Sequence, residues 1–446
     1  MMRKRLLIIF ILVGLIAAVV ALFGQQILLT GLQAAAPLHT GDYHWERIVA
    51  RPGSFTLNVR GQGERQISYA PSCSGRPGTD PEFSFYVRPG KTNRLLVLFS
   101  GGGACWSGQN CIPGDGSSGL KLDGRVTYVD EIFPQVWGAL QYTERGRYGM
   151  LDHTDVANPI RDWNTVWIFS CDGSVFWGSN DQEYTDPFYG GGTHVVYHRG
   201  FDNTMAVLDY LLERFPNQQQ ILVSGQSAGG YGSTLLFPYF REAYPDAEAA
   251  LLVDSAAGIV PSQQHGSDYD FLRVAVPLWQ AHRNAPDWIG YPTDLEGFAA
   301  LDSDDILLAM ARYYPESRIA EYTPAWDLGQ VYFWHVMNEY TNQDVDWNAS
   351  IYREKRFDAI PNEYYCEWNR QLVNRRTKLV EQAREENLPY TIFLAPGAHH
   401  GLGMDFAGSS NGLPFRTWLT QLVNSESVPT SVFCTDCQSP ETILCP

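Results

Sequence analysis

The stretch Gly225-Gln226-Ser227-Ala228-Gly229 constrains this chain more than any other. An apolar run, Ile221-Leu222-Val223, precedes it, and Gly230-Tyr231-Gly232-Ser233-Thr234-Leu235-Leu236, which can open a helix, follows it. Strand, glycine-flanked serine and helix in that order are the context of a G-x-S-x-G elbow. The turn is too tight for bulky neighbours, so glycines flank the serine. Its Oγ then stands exposed above the sheet edge, and the N–H of Ala228 can point at a developing oxyanion. The plainer reading is a glycine-rich turn that happens to hold a serine. The flanking strand and helix favour the nucleophile.

Further apolar runs alternate with helical patterns. Arg94–Phe99, Thr165–Ser170, Ala249–Val253 ending at Asp254, Arg318–Trp326 ending at Asp327, and Tyr390–Ala395 read as strands. Asn203–Phe215 has helical spacing, with Met205, Val207, Leu208, Leu211 and Leu212 on one face. Buried strands alternating with helices imply an α/β domain with a mainly parallel central sheet flanked by helices. Working residues in such sheets lie at the carboxyl ends of strands. Four strand ends here carry such residues: Gly101-Gly102-Gly103, Ser227, Asp327 and His399-His400.

A serine hydroxyl needs a base, usually histidine, and the histidine needs an orienting carboxylate. The order Ser, Asp or Glu, His is that of the α/β-hydrolase arrangement. Here it offers Ser227, then Asp254 or Asp327, then His399 or His400. Asp327 ends the strand where the acid of this fold lies, whereas Asp254 reads as a carboxylate that bonds to local backbone. The residues alone do not separate the two histidines. The glycine turn after Phe99 supplies candidate oxyanion donors in Gly102 and Gly103, beside Ala228. No Gly-Lys-Ser/Thr follows it, which argues against a nucleotide loop. Trp106, Phe176, Trp177 and Tyr231 are candidates to wall a substrate pocket or simply to fill the core, and His399 is a further candidate pocket residue. Asp304-Asp305 lacks a glycosidase context and reads as a solvated helix start.

The N-terminus bears on the compartment. Met1-Met2-Arg3-Lys4-Arg5 is basic, and Leu6–Phe23 is an unbroken apolar-plus-glycine run. That run is long enough to span a bilayer, with the basic end inside and the body exported. The expected organisation is a signal anchor or signal peptide over 1–23, a tether over 24–45, and a catalytic domain over 46–446. The eight cysteines form an even set, as in exported, disulfide-stapled chains. Cys105 and Cys111 can close a small loop beside the glycine turn, and Cys434, Cys437 and Cys445 can staple the tail. A metal site at Cys434-Cys437 lacks a second pair of ligands. Asn348-Ala349-Ser350 is a glycosylation sequon. The net charge of −17 argues against nucleic acid as a partner, and a monomer is expected.

Taken in order, several motifs resemble the pectin acetylesterase/Notum family. They are Leu96-Val97-Leu98-Phe99-Ser100-Gly101-Gly102-Gly103-Ala104-Cys105, Asp162-Trp163-Asn164, Cys171-Asp172-Gly173-Ser174, Tyr197-His198-Arg199-Gly200, Gly225–Gly230 and Pro396-Gly397-Ala398-His399-His400. The resemblance covers about residues 50–410. It implies an α/β-hydrolase-like fold and a serine carboxylesterase that needs no metal or organic cofactor. It places the nucleophile on Ser227, the acid on Asp327 within Trp326-Asp327-Leu328-Gly329-Gln330, the base on His400, and the oxyanion donors on Gly102, Gly103 and Ala228. The implied substrate is an acetylated polysaccharide or another acyl ester; a non-catalytic carbohydrate-binding scaffold is the alternative from another class. The chain departs from the family at Ser100, where glutamate is common, at Gly103-Ala104, where tryptophan often follows the paired glycines, and at Gly401, where Cys, Glu or Thr often follows the histidine.

Overall fold

The computed structural model describes residues 44–112, 127–132, 149–185, 191–262, 264, 266, 270–339, 360–402, 406–425, 427–435, 437, 439 and 445. The Leu6–Phe23 run, most of the 24–45 tether and the Asn348 sequon lie outside them. Among the described residues, no helix is long and apolar enough to cross a membrane.

The longer strands, in chain order, are β1 (Glu46–Val49), β2 (Gly53–Val59), β3 (Gly63–Tyr69), β4 (Ser84–Arg88), β5 (Arg94–Phe99), β6 (Asn164–Ile168), β7 (Asn180–Thr185), β8 (Thr193–His198), β9 (Gln220–Gln226), β10 (Glu248–Asp254), β11 (Arg318–Pro324) and β12 (Tyr390–Ala395). One eight-stranded sheet runs in the order β1-β4-β6-β5-β9-β10-β11-β12. From β6 to β12 every pairing is parallel, while β1–β4 and β4–β6 are antiparallel. The α/β expectation therefore holds. The antiparallel β4, the edge strand β1 outside it, and the separate hairpins β2–β3 and β7–β8 are additions to it.

The sequence explains why the centre is parallel. β9, β10 and β12 are buried along nearly their whole length, as strands covered by helices on both faces must be. By contrast, β2 alternates buried and exposed residues, the pattern of a strand with one wet face. Helix α1 (Gly200–Arg214) packs on the β2–β3 hairpin, and helix α2 (Ala228–Ala243) packs on β5, β9 and β10. Four disulfides join Cys73–Cys171, Cys105–Cys111, Cys366–Cys445 and Cys434–Cys437. The tail cysteines thus divide: two pair with each other, and Cys445 reaches back to Cys366.

The expected helix start at Asp304-Asp305 exists, in the helix Ser303–Tyr313, but Asp304 is not a solvated residue. It is 23% exposed and pairs with Arg375 at 3.1 Å and with Arg376 at 2.5 Å. Burial alone would raise its pKa, and the two guanidinium groups reverse that and hold it low.

Helix α2 enters the sheet with almost no clearance. A Cβ at Gly229 would sit 2.6 Å from the Ser100 carbonyl oxygen and closer still to that of Phe99. Both are backbone atoms that cannot rotate away. Gly229→Ala is therefore expected to cost about 1–3 kcal/mol or more by overpacking, read as a lower urea midpoint with an unchanged slope.

Candidate functional site

Ser227 sits between β9 and α2 with φ 55° and ψ −122°. That is a costly conformation for a residue with a side chain, and it persists only where the surroundings enforce it. Here they do. The Ser227 N–H donates to the Asp254 carbonyl at 2.9 Å, and the Ser227 carbonyl accepts from Gly230 at 2.8 Å and Tyr231 at 3.2 Å. Gly230 and Tyr231 thus spend their N–H groups on that carbonyl, which leaves those of Ala228 and Gly229 as the helix-start donors without an acceptor in the helix. Among the described residues the Ser227 hydroxyl makes no hydrogen bond.

Asp327 and His400 meet because two neighbouring loops run side by side beyond their strands. Where β11 and β12 end, the pairing continues: Ala325 N–H donates to Ala395 at 2.9 Å, Trp326 to Gly397 at 3.1 Å and Leu328 to Ala398 at 3.1 Å. This brings His400 Nδ1 to 2.7 Å from Asp327 Oδ1. Asp327 is fully buried, whereas the His400 side chain is 27% exposed. Burial lowers the His400 pKa, but the Asp327 charge, its hydrogen bond and the Asp254 charge outweigh it and leave it raised. Gly329 packs flat on the imidazole, since a Cβ there would lie 2.5 Å from the ring.

Asp327 is held by a partner that no local sequence signal reveals. Gln330 donates from its backbone N–H to Asp327 Oδ1 and from its side-chain amide to Oδ2, each at 2.9 Å. Its own amide oxygen accepts from Ala257 N–H at 2.7 Å. Gln226, the variable residue of the elbow, donates to the His400 carbonyl at 3.1 Å, tying the serine turn to the histidine loop. The glutamine three residues after Asp327 was visible as a motif letter, but nothing local assigns it a partner.

A cavity of about 250 Å³ opens beside the serine. Ser227, Ala228 and Gly103 line it, as do Trp106, Trp177 and Tyr231. Gly102 does not line it, and its carbonyl accepts from Val129 at 2.7 Å. Phe176 packs instead against Phe99, 5.0 Å between ring centroids. Neither His399 nor His400 lines the cavity; His399 Nε2 lies 2.8 Å from the Tyr322 hydroxyl, whereas His400 Nδ1 faces Asp327. Cys105, Cys111 and His198 come within 4.8 Å of one another. The two sulfurs are joined, however, and His198 is held by Tyr184 at 2.9 Å and the Asp172 carbonyl at 2.8 Å. Cys434 and Cys437 form a disulfide and not a metal site.

Residues 77–273 match the family model described as Pectinacetylesterase. Related proteins from Arabidopsis thaliana include Pectin acetylesterase 11, 28% identical over 43% of this chain and 43% of its own length. Pectin acetylesterase 7 is 26% identical over 47% of this chain and 49% of its own, and Pectin acetylesterase 4 is 25% identical over 38% and 36%. The chain spans about half the length of these relatives or less. The family match includes Ser227 and the glycine turn; Asp327 and His400 lie beyond it.

The Asp327 charge and hydrogen bond are what offset the burial of His400. Asp327→Asn is therefore expected to lower the imidazole pKa, followed as the proton resonance of His400 in an NMR titration.

Proposed function

We propose that this chain is an exported serine carboxylic-ester hydrolase acting on acetyl esters of a polysaccharide. The observation that carries the reading is the His400–Asp327 pair, 2.7 Å apart, at the same sheet edge as a backbone-strained serine that lines an apolar cavity. In this reading Ser227 attacks the ester carbonyl, and His400 takes its proton and later activates water. Asp327 fixes the imidazole with Nδ1 protonated and balances its charge. The N–H groups of Ala228 and Gly103, with Gly102 behind them, receive the oxyanion. The names of the relatives support acetyl as the acyl group and pectin as the alcohol. Export is supported by four disulfides and by the basic, then apolar, N-terminus.

One observation favours a second reading, an esterase for longer acyl chains. The cavity beside Ser227 is walled by Trp106, Val175, Trp177, Phe271, Phe333 and Met337. An acetyl group occupies roughly the space of two waters, or about 60 Å³, and leaves most of that apolar space unused.

The two readings separate on p-nitrophenyl acetate, butyrate and octanoate, with Ser227→Ala as control. The serine mechanism predicts a loss of roughly a thousandfold or more in kcat for folded Ser227→Ala. Acetyl specificity predicts that kcat/KM falls from acetate to octanoate. A long-chain pocket predicts a rise of about fourfold per buried methylene, from ~0.8 kcal/mol each. Ester hydrolysis that persists unchanged in Ser227→Ala rejects both.

A further inference from the structure

A second buried carboxylate stands between the serine turn and the histidine loop. Asp254 ends β10 and is 3% exposed. It touches both neighbours at once. Its backbone carbonyl accepts the Ser227 N–H at 2.9 Å. Its carboxylate accepts the Leu402 N–H, at 3.0 Å on Oδ1 and 2.9 Å on Oδ2, two residues beyond His400. The next residue, Ser255, has φ 51° and accepts the Gly401 N–H on its hydroxyl at 3.0 Å. Three consecutive residues, His400, Gly401 and Leu402, are thus fixed by Gln226, Ser255 and Asp254.

We propose that Asp254 is a positioning residue, whose carbonyl holds the serine turn and whose carboxylate holds the histidine loop, so that one side of the sheet edge sets the spacing between Ser227 and His400. The inference rests on reading those two residues as nucleophile and base. A serine and a histidine on strands separated by β10 and β11 have no covalent reason to keep a fixed distance. Loops drift, and a misplacement of about 1 Å costs on the order of a hundredfold in rate. A residue bonded to both backbones removes that freedom.

The charge of Asp254 adds a second effect. Burial pushes its pKa up to about 7, against the Leu402 N–H, the His400 charge and the Ser255 hydroxyl, which favour the carboxylate, while the Asp327 charge opposes it. The groups facing it are therefore His400, Asp327 and Ser255. Reciprocally, the Asp254 charge helps to keep the His400 pKa raised. A leucine or asparagine at this position would avoid burying a charge, and the buried acid is at odds with a purely packing role.

The test compares Asp254→Asn with Asp254→Ala in the full-length protein, with Ser227→Ala as control and p-nitrophenyl acetate as substrate. Asparagine keeps an oxygen for Leu402 and loses the charge; alanine loses both. For Asp254→Ala the expected result is a fall in kcat of about tenfold or more with KM within about threefold. For Asp254→Asn, kcat returns to within about threefold of wild type, and the acid limb of kcat/KM moves to lower pH because the imidazolium has lost a stabilising charge. A role confined to stability would lower the melting temperature of both variants and leave the acid limb in place. The proposal is overturned by an Asp254→Asn profile that superimposes on wild type, or by Asp254→Ala with unchanged kcat. Should Asp254→Ala fail to fold, the acid limb of Asp254→Asn decides alone. Activity that survives in Ser227→Ala instead rejects the underlying serine reading.

Discussion

The close approach of α2 to the sheet is the constraint from which the rest of the site follows. Gly229 lies so near the carbonyls of Phe99 and Ser100 that no side chain fits between them. This forces the chain to turn within a single residue after β9, and Ser227 absorbs the turn at positive φ. The same contact sets the glycine turn after β5 beside the serine, because β5 and β9 are paired neighbours. A single backbone contact therefore places the proposed nucleophile and the candidate oxyanion donors together. Side chains provide the histidine and its acid.

That second half of the site is assembled by continuation of the sheet. The loops after β11 and β12 keep exchanging hydrogen bonds past the last strand residues. Asp327 and His400, 73 residues apart, then become neighbours. Gln330 saturates both oxygens of the acid from one helical turn away. A buried carboxylate with two amide donors and one imidazole partner has both oxygens bonded, which offsets part of the cost of its burial and fixes its orientation. The imidazole, in contrast, keeps a partly exposed edge. In the proposed reading, the fixed carboxylate and the partly exposed imidazole serve a serine whose hydroxyl makes no hydrogen bond among the described residues.

Much of this was legible in the chain because the signals were local. Tyr390–Ala395 coincides with the expected strand residue for residue, being an apolar run bounded by prolines. The elbow was legible for the same reason, since strand, glycine pair and helix are contiguous. Glu46–Val49, an edge strand of four residues, and Ser84–Arg88, a strand of five residues inside the sheet, are too short to show a distinctive period. Asp254 was read as a residue that bonds to local backbone, and its carboxylate in fact bonds to Leu402, 148 residues away. Asp304 was misjudged for a related reason: its partners Arg375 and Arg376 lie on another helix. The choice between His399 and His400 is likewise non-local. In the structure His399 faces Tyr322 and His400 faces Asp327, contacts that no local signal carries.

The central claim is that Ser227 is a nucleophile activated by His400. The most direct measurement is covalent labelling of the full-length protein with a fluorophosphonate, followed by peptide mass spectrometry. The account predicts a single adduct on the peptide carrying Ser227, formed slowly or not at all in folded His400→Ala. An adduct on a different residue, or labelling of Ser227 at the wild-type rate when His400 is replaced, would contradict it.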